Sequence, residues 1–243
     1  MCGRYGLNHP DPVLADWYRA ASMPELKPRY NIAPAMEILA VRDTDRGRIG
    51  SMMRWGLIPH WIKDTKKLPV LNNARAETVA EKPAFRQSFR QRRCLIPASG
   101  FFEWKTEGRC KQPYFISSRD GGPFSIAGIW ETWGGDTGET KESCAILTTE
   151  CNALMQTIHD RMPVILSQEV WDTWLDPDLR RDEILLSLLK PFDADRMQAW
   201  PVTPAVGKVA NQGEELFRPL ISEREGGLLK RQATLHSTDL PWE

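Results

Sequence analysis

Short hydrophobic runs separated by Gly, Pro and Asp recur through the first 150 residues of the chain. Brief apolar runs bounded by turn residues are typical of β-strands. The predicted strands cover 36–42, 49–55, 93–97, 101–105, 114–117, 124–130 and 144–148, and a proline-led strand is predicted over 163–166. Strands of this length and number favour antiparallel sheets that are partly barrel-like.

Helical periodicity occurs between and after these strands. Asp11 and Pro12 predict a helix start, with the aspartate as N-cap and the proline at the first helical position, followed by an apolar stripe of Val13, Leu14, Trp17 and Tyr18. Further helices are predicted over 83–92, 152–158, 168–175 and 181–189. Because the helices interrupt the strands without alternating with each of them, the predicted fold class is α+β with peripheral helices.

The chain length of 243 residues favours a single domain. Periodicity is lost after Ile221, so we predict a domain over 1–221 and a mobile C-terminal tail over 222–243 without a catalytic role. The start of the chain lacks a basic region followed by an apolar stretch, and no run is long enough to span a membrane, so we expect no membrane association and a cytoplasmic location.

The formal net charge is zero, which argues against a nucleic-acid partner unless the charge is unevenly distributed. Segment 63–93 carries nine Lys and Arg against three Asp and Glu, whereas segment 169–195 carries eight acids against three bases. Two interpretations remain open at this point: the basic segment binds phosphates, or both segments are solvated helical faces.

Five cysteines without a C-x-x-C pair suggest neither a disulfide framework nor a zinc site, so we expect reduced thiols and no metal. Cys2 has special chemistry if Met1 is removed, because its α-amine and thiol then lie on adjacent carbons. The amine can condense with an aldehyde to an imine, and the thiol can close a five-membered thiazolidine ring. The alternative is that Cys2 is incidental.

Two other segments carry candidate acid–base residues. Glu103 lies among aromatic residues in a predicted strand, where period-2 alternation places it on the face opposite Phe102 and Trp104. Partial burial would raise its pKa and suit it to proton transfer, whereas the alternative is a solvent-facing charge on an edge strand. His159 precedes Asp160 and Arg161 and is suited to proton transfer at a sugar oxygen, although a lone histidine is more often structural.

The basic segment and the tryptophans supply candidate contacts to a nucleic acid. Asn73 is placed to orient the Cys2 amine and Arg75 to contact a phosphate, with capping of the next helix as the competing explanation. Trp61 and Trp104 offer faces on which bases can stack, although each tryptophan alone is more often part of a core.

Seven ordered motifs, taken together, closely resemble the SRAP (SOS response-associated peptidase) family, which shields abasic sites. The resemblance covers residue 1 to about residue 220. Its motifs are Met-Cys-Gly-Arg (1–4), Arg-Tyr-Asn-Ile-Ala-Pro (29–34), Arg-Trp-Gly-Leu-Ile-Pro-His-Trp (54–61), Asn-Ala-Arg-Ala-Glu-Thr (73–78), Gly-Phe-Phe-Glu-Trp-Lys (100–105), Ile-His-Asp-Arg-Met-Pro (158–163) and Val-Ala-Asn-Gln-Gly (209–213).

The resemblance implies one α+β SRAP-type domain that crosslinks covalently to abasic sites in single-stranded DNA. It implies that Cys2 is the nucleophile, Asn73 orients it, Glu103 is the acid–base residue and His159 assists ring-opening of the sugar. Family positions that contact DNA match Arg4, Trp61, Arg75, Trp104, Thr148 and Arg161. The implied protein is a monomer that needs no cofactor or metal, associates with the nucleoid when bound to DNA, and has autopeptidase and weak lyase activities.

One departure from the family pattern concerns a cation. Some relatives have an arginine after the Asn-Ala-Arg motif, where this chain has Glu81, Lys82 and Pro83. Two other functions are also open: an N-terminal-nucleophile glutamine amidohydrolase, which shares the Met-Cys-Gly start, and a non-covalent single-strand binding module with an idle Cys2. Ammonia release would indicate the first, and salt-sensitive reversible binding to intact strands would indicate the second.

Overall fold

The computed structural model describes residues 2–65, 69–134 and 140–220. It contains two β-sheets with short helices at their periphery. The strands are β1 (Tyr5–Leu7), β2 (Arg29–Ile32), β3 (Glu37–Thr44), β4 (Gly47–Trp55), β5 (Asn73–Arg75), β6 (Arg93–Ala98), β7 (Gly100–Glu107), β8 (Cys110–Ser118), β9 (Phe124–Gly134), β10 (Thr140–Glu150), β11 (Arg161–Pro163) and β12 (Met197–Pro201). The helices are α1 (Asp11–Tyr18), α2 (Arg86–Gln91), α3 (Trp171–Leu175) and α4 (Asp182–Ser187).

The larger sheet closes on itself. Its strands follow the order β11-β10-β4-β3-β6-β9, and β9 pairs again with β10, so β10, β4, β3, β6 and β9 form a barrel. Most pairs are antiparallel, whereas β10 runs parallel to both β4 and β5. The predicted α+β fold with a barrel-like sheet is therefore confirmed, and each of the seven main predicted strands is present with shifted ends.

The smaller sheet has the order β12-β8-β7-β1-β2. Strand β7 lies in its interior, between β8 and β1, because Phe101 pairs with both Ile116 and Tyr5. The alternative in which Glu103 sits on an edge strand is therefore wrong. This pairing also brings the first residues of the chain beside β7, since Phe102 N–H donates to the Arg4 carbonyl at 2.9 Å.

Two hydrophobic clusters support this arrangement. The main core fills the barrel and contains Trp55, Trp174, Phe89 and Phe101, each fully buried. The second cluster covers the smaller sheet and contains Phe102, Phe115, Val202, Val206 and Leu216. Because burial of a Val, Leu or Phe side chain contributes about 1.5–3 kcal/mol, the second cluster attaches the chain after β12 firmly to the sheet.

The helices are shorter than the periodicity predicts. The predicted helix 152–158 contains only a 3-10 turn, Met155–Thr157, and 168–175 begins as a 3-10 turn, Gln168–Val170, before α3. The N-cap of α1 is Pro10 and not Asp11, which is the first helical residue, so that prediction is wrong. The inward face of α1 is formed by Leu14 and Tyr18, whereas Val13 is exposed.

Of the strand predicted over 163–166, only Pro163 lies in a strand, because β11 runs from Arg161 to Pro163. Its start is fixed by pairing with β10, where Glu150 faces Arg161 and Thr148 faces Pro163. The predicted tail, 222–243, lies outside the described residues. Within the described part of the chain, no helix is long and apolar enough to cross a membrane.

Candidate active site

Strand β10 gathers several of the predicted site residues at its C-terminal end. Its parallel pairing with β5 places Asn73 opposite Ile146 and Arg75 opposite Thr148. On the other side, β11 brings Arg161 opposite Glu150. Residues from three separate segments of the sequence thus meet at one end of the barrel.

Cys2 connects this end of the barrel to the smaller sheet. The Asn73 Nδ2 donates a hydrogen bond of 2.8 Å to the Cys2 carbonyl, while the residues after Cys2 run into β1. The Cys2 side chain is fully buried. Burial raises the pKa of its thiol, and the nearby Glu103 carboxylate raises it further, so the sulfur is a neutral thiol at physiological pH. Asn73 does not cap the 3-10 turn Ala76–Thr78, so the capping alternative is wrong.

Glu103 is a buried carboxyl group on β7, with only 3% of its surface exposed. Desolvation by burial raises its pKa, and the positive charge that His159 can carry opposes this shift. Of the two interpretations left open by the sequence, the buried carboxyl group is therefore the one that the structure shows. A carboxyl group of this kind can accept a proton at neutral pH and return it to a neighbouring atom.

His159 lies two residues before β11 and has a defined ring orientation. Its Nδ1 accepts a hydrogen bond of 3.0 Å from the Arg161 main-chain N–H. An amide N–H can only donate, so the neutral ring carries its proton on Nε2. The Asp160 carboxylate also lies 2.8 Å from Nδ1, a contact that requires a proton on Nδ1, either in the other neutral tautomer or in the charged ring. The two contacts therefore suit different forms of the ring: Nδ1 accepts from Arg161 when it carries no proton and donates to Asp160 when it does.

An open cleft of about 380 Å³ connects Glu103 with His159. It is lined by Arg4, Glu103, Trp104, Lys111, His159 and Gly207. The Arg4 guanidinium lies 6.0 Å from the centre of the Trp104 ring, within the range of a cation–π contact. The cleft thus combines an acid–base pair with cations and an aromatic face.

Arg161 lies beside this group of residues and is already paired. Its Nη1 and Nη2 donate to the two carboxylate oxygens of Glu77 at 2.6 and 3.0 Å, and Nη2 also donates to the Thr148 carbonyl at 2.8 Å. Arg75 is exposed on the adjacent strand. Bidentate pairing is also the geometry in which arginine holds a phosphate, so Glu77 occupies the face of Arg161 that a phosphate would use.

Trp61 projects from a loop that is anchored to the barrel. Trp133 Nε1 donates to the Ile62 carbonyl at 2.6 Å, and Ile58 N–H donates to Ser143 Oγ at 2.8 Å. The loop also contacts the barrel through His60, whose Nδ1 lies 3.2 Å from the buried carboxylate of Glu131. Trp61 itself is 54% exposed, so it is not part of the core.

Comparison with known proteins identifies the family of this chain. The family model described as SOS response associated peptidase (SRAP) matches residues 1–209.

The chain belongs to the SRAP family.

Among its relatives, the abasic site processing proteins YoqW and YoaM of Bacillus subtilis are each 42% identical to it over 222 residues. These matches cover 89% of this chain and 99% and 97% of the relatives. A crystal structure of a protein from Bacteroides thetaiotaomicron superimposes with a TM-score of 0.82 at 32% identity, covering 90% of this chain and all of that one.

Within this SRAP fold, part of the basic segment 63–93 has a structural role that neither of the two open interpretations included. Arg90 pairs with Asp182, Arg92 with Glu131, and Arg93 donates to carbonyls of the 174–179 segment. Three of the five arginines of segment 63–93 therefore stabilise the fold. The exposed cations that remain for phosphates in this segment include Arg75, Lys82 and Arg86.

Four residues of the site region were missed by sequence reasoning. Lys111 and Gly207 line the cleft, Glu77 pairs with Arg161, and Asn31 binds Arg4. Asn31 and Glu77 lie within motifs that carry the SRAP resemblance, and this position is the signal by which they could have been found. Lys111 has no comparable signal. The described residues contain no group of three or more His, Cys, Asp or Glu placed to hold a metal ion.

Proposed function

We propose that this protein processes abasic sites in single-stranded DNA by forming a covalent thiazolidine adduct through Cys2 after removal of Met1. The observation that carries the proposal is the hydrogen bond from Asn73 Nδ2 to the Cys2 carbonyl, which holds Cys2 close to the buried Glu103 carboxyl. The relatives YoqW and YoaM are named abasic site processing proteins, which supports the same substrate for this chain.

The first chemical step must release the α-amine, and it concerns Met1, which lies outside the described residues. Hydrolysis of the Met1–Cys2 amide consumes one water molecule and yields free methionine and the Cys2 amine. Asn73 supports the orientation of this amine: its Oδ1 is buried, and no donor among the described residues reaches it. A buried acceptor without a partner is costly, so a new N–H donor beside it would be favoured.

The second step joins protein and DNA. The amine attacks the aldehyde carbon of the ring-opened abasic sugar, and loss of water gives an imine. The Cys2 sulfur then adds to the imine carbon, forming the C–S bond while the thiol proton moves to nitrogen. Because burial keeps the thiol protonated, this proton needs a carrier, and Glu103 is the nearby group with a raised pKa.

His159 has the complementary task at the sugar. Its neutral ring carries a proton on Nε2, and the contact of Nδ1 with Asp160 also suits the charged ring. It can therefore donate a proton to the sugar oxygen during ring-opening and recover one later. If the imine persists, β-elimination at the sugar becomes possible, which accounts for a weak lyase activity.

The remaining predicted residues would hold the strand. Arg75 is exposed on β5, Arg161 is held by the fully buried Thr148, and Arg4 and Trp104 line the cleft. Trp61 would stack on a base from its anchored loop. We further propose that the protein acts as a monomer without a metal or cofactor, in the cytoplasm and at the nucleoid.

The test is intact mass of the purified protein before and after incubation with a single-stranded oligonucleotide containing one abasic site. We expect loss of one methionine and then an adduct that survives high salt and denaturant. The Cys2→Ala variant should form no such adduct. Adduct formation by Cys2→Ala, or none by the wild type, would overturn the proposal; reversible binding to intact strands alone would indicate a non-covalent module, and ammonia release from glutamine an amidohydrolase.

A further inference from the structure

Asn31 on β2 is a fully buried amide with an unusual set of partners. Its Nδ2 lies 3.2, 3.1 and 2.9 Å from the carbonyls of Val206, Lys208 and Asn211, so two N–H groups are shared among three acceptors. Its Oδ1 accepts a hydrogen bond of 2.8 Å from Arg4 Nη1. Both halves of the amide are therefore used, and both bind segments far away in the sequence.

The residues held by Asn31 form one side of the cleft. We call 204–213 the wall segment. Gly207 of this segment lines the cleft with Glu103 and His159, and Val206 is buried in the second hydrophobic cluster. At its end, Gln212 Nε2 donates to the Asn31 carbonyl at 2.8 Å and to the Val209 carbonyl at 3.0 Å. The wall segment is thus attached to β2 by side-chain amides from both directions.

Arg4 belongs to the same network. Its Nη1 donates to the Val206 carbonyl at 2.8 Å as well as to Asn31. Arg4 follows Cys2 by two positions and lies against the Trp104 ring. Any movement of the wall segment would therefore be transmitted to a cation beside the nucleophile.

We propose that Asn31 is a positioning residue that fixes Arg4 and the wall segment relative to Glu103, and thereby sets the geometry of the cleft that receives the abasic sugar. This inference rests on the proposed function and assigns a role to the motifs 29–34 and 209–213, which that function does not use directly. Only an amide fits the position, because one end must donate to carbonyls while the other accepts from a guanidinium.

The decisive variant is Asn31→Asp, which keeps the size of the side chain and the acceptor for Arg4 but removes the donor to the three carbonyls. Since a buried carboxylate beside carbonyls can destabilise the whole fold, Gln212→Ala serves as a second variant. Gln212 is exposed, so its loss affects mainly the attachment of the wall segment. Gln198→Ala is the matched control, because its amide also donates twice on the smaller sheet, to Ser117 and Ser118 on β8.

Two measurements separate this inference from the proposed function. Amide hydrogen exchange in the free protein reports on the attachment of 204–213 without any DNA. The rate constant of adduct formation at saturating abasic oligonucleotide, compared with the Kd for an intact strand, reports on cleft geometry. We expect faster exchange in 204–213 for both variants, and an adduct rate constant about tenfold lower for Asn31→Asp with a Kd changed less than twofold.

Each other outcome counts against the proposal. Unchanged exchange in both variants would show that the wall segment is held without these amides. Faster exchange with an unchanged rate constant would show that the wall does not set the reaction geometry, and an equal loss in Gln198→Ala would show a general effect on the fold. If the wild type forms no adduct, the proposed function fails, whereas the exchange experiment still tests the attachment by Asn31 and Gln212.

Discussion

The side chain of Asn73 and the main chain of Cys2 are joined by a hydrogen bond of 2.8 Å that spans 71 positions of the sequence. The bond links β5 of the barrel to the residue that enters the smaller sheet. It fixes the carbonyl of Cys2, and with it the direction in which the α-amine and the thiol can point. The main-chain carbonyl of Cys2 is thus held by Asn73, and the sulfur of Cys2 also accepts a hydrogen bond from the Arg4 main chain.

The first prediction is that Asn73→Ala slows adduct formation more than it affects binding. Loss of the donor leaves a buried carbonyl without its partner and lets Cys2 rotate, so we expect the rate constant at saturating DNA to fall about 10- to 100-fold. Asn72→Ala is the control, since Asn72 acts through its main-chain carbonyl, which accepts from Trp55 Nε1 and Ile146 N. Equal rates for the Asn73 variant and the wild type would contradict the assigned role.

The second prediction is that Glu103→Gln lowers the activity of the protein but raises its stability. Removal of the proton carrier should lower the rate of adduct formation by about 10²- to 10⁴-fold. The variant should also lose the decline in rate that the wild type shows as pH falls through the raised pKa of Glu103. A rate–pH profile of both proteins with the same abasic oligonucleotide measures both effects.

The stability part follows from the direction of the shift. Since the folded-state pKa of Glu103 lies above the unfolded value, the folded protein binds the proton more tightly and loses stability as pH rises between the two values. Glu103→Gln removes this penalty, so its melting temperature should exceed that of the wild type at pH 7, and the difference should disappear near pH 4. Glu107→Gln, on the exposed end of β7, should show neither effect. A lower melting temperature for Glu103→Gln at pH 7 would contradict the argument.

The local pattern of apolar, polar and turn residues predicts which segments of this protein form strands better than it predicts which strands pair with each other. Seven strands follow from alternation and turn residues, but β1, β2, β5 and β12 are only three to five residues long and are defined by pairing. The helices are overestimated for the same reason: residues 152–158 have helical spacing, yet packing leaves only the turn Met155–Thr157.

The candidate site shows the same division between local and long-range information. The aromatic neighbours of Glu103 leave burial and exposure both open, and the pairing of β7 with β1 and β8, which makes β7 an interior strand, decides between them. Asn31 reaches Val206 across 175 positions, a contact that no local pattern encodes. The net charge of segment 63–93 overstates the number of cations available to phosphates, because Arg90, Arg92 and Arg93 bind partners within the fold.

The third prediction concerns the pair formed by Glu77 and Arg161. The hydrogen bond from Arg161 lowers the pKa of the Glu77 carboxyl group. The carboxylate is therefore charged and competes with a phosphate for the same face of the guanidinium. We expect Glu77→Gln to tighten binding of intact single-stranded DNA by roughly fivefold at low salt, about 1 kcal/mol. The slope of log Kd against log salt should steepen by about 0.7, the increment for one phosphate contact on a single strand.

The control is a second arginine–glutamate pair with nearly the same bidentate geometry. Glu142 accepts the Nη1 and Nη2 hydrogen bonds of Arg42 at 2.7 and 3.1 Å, and Arg42 has nearly the same exposure as Arg161. Glu142→Gln changes the net charge equally, so a similar gain in affinity would reduce the effect to overall charge. Weaker binding by Glu77→Gln would instead mean that the carboxylate is needed to orient Arg161.

The fourth prediction is that Trp61 contributes to binding and not to folding. The ring is 54% exposed, while its loop is held by Trp133, Ser143 and His60, so removing the ring leaves the anchors in place. We expect Trp61→Ala to weaken binding of single-stranded DNA by about 1–3 kcal/mol, the contribution of one stacked base, with a melting temperature within 1–2 °C of the wild type, roughly the range of a surface substitution. Trp61→Phe retains an aromatic face and should recover most of the affinity. Fluorescence anisotropy with a labelled oligonucleotide measures the difference, and a Trp61→Ala protein with unchanged affinity would exclude the loop from the interface.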